Sequence, residues 1–149
     1  RYDNKRAVKW ISKNYVQSHA NLNKWKVFVP KSNGGGELGA LSTPIVGEPK
    51  TIGTQTYISF GACDTKQEAE NILAYLKTKF ARALLGINKV TQDNATKEVW
   101  ENVPLQNFAS DSDIDWSKSI PEIDQQLYKK YGLSQEEINF IETRVKAMA

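Results

Sequence analysis

The chain is poor in the residues that most often carry chemistry. Its 149 residues include one cysteine and one histidine. A lone thiol (Cys63) cannot close an internal disulfide, and with His19 it cannot supply a zinc ligand set or a His-dependent triad. Cys63 follows Tyr57-Ile58-Ser59-Phe60 at an expected strand exit, so it reads as a small core residue and not as a reactive thiol. A reducing, cytoplasmic setting is expected. No apolar run approaches the length of a bilayer span or resembles a signal-peptide core, so no membrane association is expected.

Other absences remove further classes. Asn33-Gly34-Gly35-Gly36 is glycine-rich, but no Gly-Lys-Ser/Thr ending before a helix follows it, which excludes a phosphate-cradling P-loop. Asp111, Asp113 and Asp115 alternate like a calcium loop, yet the glycine and distal glutamate of such loops are missing. They read as an acidic turn. Glu48-Pro49-Lys50 supplies the Glu-x-Lys of a metal-dependent nuclease, but no Asp lies between Asp3 and Asp64 to complete the site. There is also no Asn/Asp-Pro-Pro-aromatic tetrapeptide of the kind that holds a flipped adenine in amino-methyltransferases. No catalytic residue, metal or cofactor is assigned to this chain.

What remains is an ordinary globular composition, 40% hydrophobic and 25% charged, enough for one domain with a real core. The formal net charge is only +3, but it is unevenly spread. From Arg1 to Lys31 eight Lys/Arg face one acid, Asp3, whereas from Glu101 onward nine acids face five bases. A basic amino-terminal part can neutralise phosphates and steer a polyanion.

Periodicity predicts a mixed α+β fold. Val8, Ile11, Tyr15 and Val16 fall near helical spacing, with Lys5, Lys9 and Lys13 on another face, which predicts a basic helix within residues 1–23. Trp25-Lys26-Val27-Phe28-Val29-Pro30 reads as a strand ended by proline. Short strands joined by Gly/Pro loops are expected through Phe60, Thr56-Tyr57-Ile58-Ser59-Phe60 being the clearest. A long central helix is expected over 65–85, opened by the Thr65/Glu68 capping-box spacing and stopped by Gly86. Its stripe runs through Ala69, Ile72, Leu73, Leu76, Phe80 and Ala83. Residues 89–107 read as irregular, closing a strand-rich core over 24–107. Two capped helices, opening at Ser119 and Ser134, form a carboxy-terminal extension over 108–149.

Several stretches stand in a familiar order: Val103-Pro104-Leu105-Gln106-Asn107-Phe108, Ser112-Asp113-Ile114-Asp115-Trp116, Ile123 through Leu133, and Glu136-Glu137-Ile138-Asn139-Phe140-Ile141-Glu142. This segment resembles the carboxy-terminal part of adenine-specific DNA methyltransferases of type II restriction–modification systems, including enzymes that join nuclease and methyltransferase in one chain. Upstream, Lys26 to Lys31 and Ala69 to Leu85, with Glu68-Ala69 and Tyr75-Leu76, are similar to the target-recognition part of those enzymes. One departure is Lys146-Ala147-Met148, where the family more often has Lys-Pro-Met.

The resemblance implies a sequence-specific recognition module for double-stranded DNA and a fragment of a longer enzyme, consistent with a chain opening on Arg1. A separate catalytic domain of the same parent chain would bind S-adenosylmethionine and methylate adenine. Within this module Lys24, Lys26, Lys31 and Lys50 are expected to contact phosphates, and Ser32, Asn33, Thr54 and Gln55 to reach base edges. Lys79 and Arg82 are secondary candidates. Two alternatives are a protein-interaction domain docking a methyltransferase or nuclease partner, and a metal-dependent nuclease.

Overall fold

The computed structural model describes residues 7–32, 36–89 and 93–148. Three strands, β1 (Trp25–Pro30), β2 (Ile45–Gly47) and β3 (Tyr57–Cys63), form an antiparallel sheet in the order β2-β1-β3. Four helices follow: α1 (Lys66–Lys77), α2 (Lys79–Asn88), α3 (Ile120–Lys130) and α4 (Gln135–Arg144). This is the expected α+β class with its carboxy-terminal helical pair.

The central strand is where sequence and sheet meet most directly. Alternation along β1 sends Val27 and Val29 to one face, where they join Ala69, Ile72 and Leu76 of α1 in a buried cluster. Lys26 and Phe28 point to the other face. The β1–β3 ladder shifts register between Trp25 and Val27, opposite Gly61, whose φ of 80° is a conformation glycine adopts without strain. A second cluster, built around Phe80, Trp116, Ile123, Leu127, Tyr128 and Val145, packs the closing pair against α1 and α2.

The predicted central helix is two helices. Thr78 sits in extended geometry (φ −60°, ψ 147°) and serves as the C-cap of α1 and the N-cap of α2. Its hydroxyl donates to Tyr75 O (2.6 Å) and accepts from the Ala81 N–H (3.2 Å), a local alternative to helical bonding open to threonine. The other donors freed at the break, Lys79 N–H and Phe80 N–H, go to the Asp124 carboxylate from α3 at 3.0 and 2.8 Å. The apolar stripe runs on across the break, so periodicity alone does not register it.

Gly86 does not stop the helix, because α2 continues to Asn88. Its role is close approach: a Cβ there would lie 2.5 Å from Leu38 Cδ1 and 2.8 Å from the Gly39 nitrogen. Gly132 ends α3, with φ 63° and Leu133 N–H bonded back to Tyr128 O at 3.0 Å. The Ser134/Glu137 box is reciprocal, with Ser134 N–H to the Glu137 carboxylate at 2.7 Å and Glu137 N–H to Ser134 Oγ at 3.3 Å. At Thr65 the box is displaced, since the Glu68 carboxylate accepts from Asp64 N–H at 3.1 Å.

The basic amino-terminal helix is not present among residues 7–23. This segment contains a single 3-10 turn, Lys13–Tyr15, with no buried residue. Trp10 is fully exposed and Val8 95% exposed, so among the described residues the stripe that predicted a helix packs against no surface.

Candidate DNA-contacting surface

The candidate residues divide into four groups. Lys31 and Ser32 leave the end of β1, and Thr54 and Gln55 lie just before β3. The Lys31 N–H donates to Thr56 O at 2.9 Å, and the Lys31 carbonyl accepts from Asn94 N–H at 2.6 Å. Lys31 is therefore a node that joins the 48–56 loop to the segment that follows α2. Ser32, Thr54 and Gln55 are exposed around it, with Thr54 Oγ1 paired to Thr56 Oγ1 at 2.7 Å. Asp93 bridges to Ser32, and its carboxylate accepts the Ala95 N–H at 2.8 Å. Asn33 lies outside the described residues.

Lys50 and Lys24 belong to the other end of β1. Lys50 N–H donates to Leu22 O at 2.6 Å, and its φ of 67° gives a left-handed turn in a loop exposed from Glu48 to Thr56. Lys24 pairs with Asp64, whose hydrogen bond and charge hold the ammonium pKa above its ordinary value. Its contribution to a free basic surface is correspondingly reduced.

Lys26 and Arg82 are corrections. Lys26 is 1% exposed, with Nζ donating to the carbonyls of Asn21 (2.8 Å) and Leu22 (3.2 Å). A phosphate contact requires an exposed ammonium, but the turn before β1 folds over this one. Burial lowers its pKa. Arg82 is 4% exposed and donates to the carbonyls of Lys77, Thr78 and Lys146, tying α1, α2 and the chain end together. Both side chains are taken up by backbone carbonyls, and neither lies on the exposed surface around Lys31.

Lys79 is likewise taken up by the tail, bonded to the Glu142 carboxylate (2.6 Å) and backbone carbonyl (2.9 Å). Of the ten candidates, the structure brings together Lys31, Ser32, Thr54 and Gln55, with Lys50 and Lys24 at the opposite end of the strand.

Residues beyond those candidates hold the surface in place. Ser42 Oγ donates to Ser32 O at 3.2 Å and Lys89 Nζ to Ala40 O at 2.6 Å, while Glu37 pairs with Lys146. Gly39 (φ 66°) lies directly on the backbone of Arg82. The return of the glycine-rich loop is thus fastened to both α2 and the tail. These are contacts between distant parts of the chain and carry no local sequence signature.

The remaining chemical candidates have structural partners. Cys63 is buried, and burial raises its pKa. Asp113 pairs with Lys130 at 2.8 Å, and Asp115 accepts from Ser117, both carboxyls lying below their ordinary pKa because of these bonds. Among the described residues no three His, Cys, Asp or Glu side chains gather as a metal site, and no helix is long and apolar enough to cross a membrane.

No protein-family model, curated protein or solved structure matches the chain.

Proposed function

We propose that this domain recognises double-stranded DNA for a restriction–modification adenine methyltransferase, in the cytoplasm, and positions the duplex for a separate catalytic domain that carries S-adenosylmethionine. The observation that supports this most directly is the Lys31 N–H to Thr56 O bond. It sets a cation and the exposed side chains of Ser32, Thr54 and Gln55 on adjacent loops. Cations fix a duplex through its phosphates, and hydroxyl and amide groups discriminate base edges.

In fluorescence-anisotropy titrations with duplexes of differing sequence, Lys31→Ala and Lys50→Ala are each expected to weaken binding to all of them. Each should also lower the slope of log K against log salt by about one unit. Gln55→Ala should act differently, compressing the spread between preferred and non-preferred duplexes by about 1–3 kcal/mol. Binding insensitive to salt would sink the proposal.

A second reading, docking of the catalytic methyltransferase domain, is supported by the exposure of Val8, Trp10, Ile11 and Tyr15 in one segment. On that reading Trp10→Ala abolishes co-purification with the catalytic domain and leaves duplex affinity unchanged.

A further inference from the structure

On the sheet face opposite α1, a groove runs between the turn before β1 and the loop before β3. His19, Asn21, Thr51 and Ser59 line it together with Phe28 and Lys26. Its unusual member is Lys26. An ammonium carries three protons, and two of them go to the carbonyls of Asn21 and Leu22. Among the described residues no acceptor takes the third, and no carboxylate pairs with this side chain. Folding a cation into the wall of a groove with no counter-charge is unfavourable unless something else supplies that charge.

Alongside Leu22, Phe28 and Ile52, the lining holds hydroxyl groups able to donate to an oxyanion. Ser59 Oγ accepts from Asn21 Nδ2 at 3.0 Å, which leaves its own O–H able to donate into the groove. The His19 ring borders the groove and is fixed by Asn21, its Nδ1 lying 2.7 Å from the amide oxygen and 3.3 Å from the backbone nitrogen. Thr51 adds a second hydroxyl. Two hydroxyl donors and an ammonium suit a ligand with several acceptor oxygens better than a single-point anion such as chloride.

We propose that this groove seats a phosphate group, with the Lys26 ammonium as its buried counter-charge. The group is a diester of a nucleic-acid strand or a free phosphate, and the inference stands whether or not the domain reads DNA sequence through Lys31 and its neighbours.

The test is a titration of the intact domain with inorganic phosphate at constant ionic strength, followed by amide chemical shifts. Saturable shifts are expected at Asn21, Thr51 to Gly53 and Ser59, with at least tenfold weaker binding in Lys26→Met and unchanged binding in Lys129→Ala. Should Lys26→Met fail to fold, Ser59→Ala serves, with a severalfold loss expected. The wild-type map is decisive by itself: absent shifts, or shifts lying elsewhere on the surface, overturn the inference, as does equal binding by the folded Lys26→Met protein. A short duplex that displaces phosphate from the same amides identifies a strand phosphate, and one that does not identifies a free phosphate. Phosphate shifts retained in Lys31→Ala while duplex affinity falls would separate this site from the recognition surface.

Discussion

Alanine at Asp124 is expected to cost about 2–4 kcal/mol of folding stability, because it strands two backbone N–H groups at once. The break at Thr78 creates a helix start whose first donors have no partner within the helix. Asp124 supplies acceptors for Lys79 and Phe80 from another element, and is itself 2% exposed. Burial raises its pKa to about 6, against the downward pull of those two N–H bonds and of Arg82. A carboxyl with a raised folded-state pKa holds its proton more tightly in the folded chain than in the unfolded one. Its contribution to stability is therefore greatest below about pH 4 and is lost as pH rises through 6. Asp124→Asn does not titrate, so the stability gap between wild type and this variant should narrow by about 1 kcal/mol between pH 5 and pH 7.5. Urea unfolding of both proteins at the two pH values measures it. A gap that stays constant or widens would contradict the assignment.

A comparable loss is expected from a single added methyl group at Gly39 or Gly86. At Gly39 the new Cβ would lie 2.4 Å from the carbonyl oxygen of Arg82, a backbone atom that cannot swing aside, and φ is already 66°. Left-handed strain and overpacking each cost about 1–3 kcal/mol, so Gly39→Ala should lose about 3 kcal/mol. Gly86→Ala is the more discriminating variant. Within a helix, alanine is intrinsically favoured over glycine by about 1 kcal/mol, so a position with free space would be stabilised. Here the Cβ meets Leu38 and the Gly39 nitrogen, and the expected sign is the reverse. The melting temperatures of the two variants decide the matter, and a rise for Gly86→Ala would refute the close packing of this loop on α2.

The elements legible in the sequence are those whose causes are local. β1 follows from alternation and a terminal proline, and α3 and α4 from serine–glutamate boxes three residues apart. What the sequence hides depends on distant partners. Thr78 ends α1 with donors satisfied from a carboxylate more than forty residues away. The amino-terminal stripe met the helical pattern but found no partner surface, and a pattern without burial does not hold a short helix. At the candidate surface, Lys31, Ser32, Thr54 and Gln55 were each visible as polar loop residues. Their proximity follows from the β1–β3 register, Pro30 opposite Tyr57, continued by the Lys31 N–H to Thr56 O bond, a pairing that no local spacing encodes. Lys26 shows the opposite failure, since its residue type marked it for solvent while the chain before it closed overhead.

Lys146 has a consequence beyond packing. Its side chain pairs with Glu37 in the return of the glycine-rich loop, while its carbonyl receives the guanidinium of Arg82. The order of the chain end and the order of that loop are therefore one shared free energy. By reciprocity, whatever holds residue 146 in place lowers the entropy that Glu37 must give up when it is fixed, and the reverse holds equally.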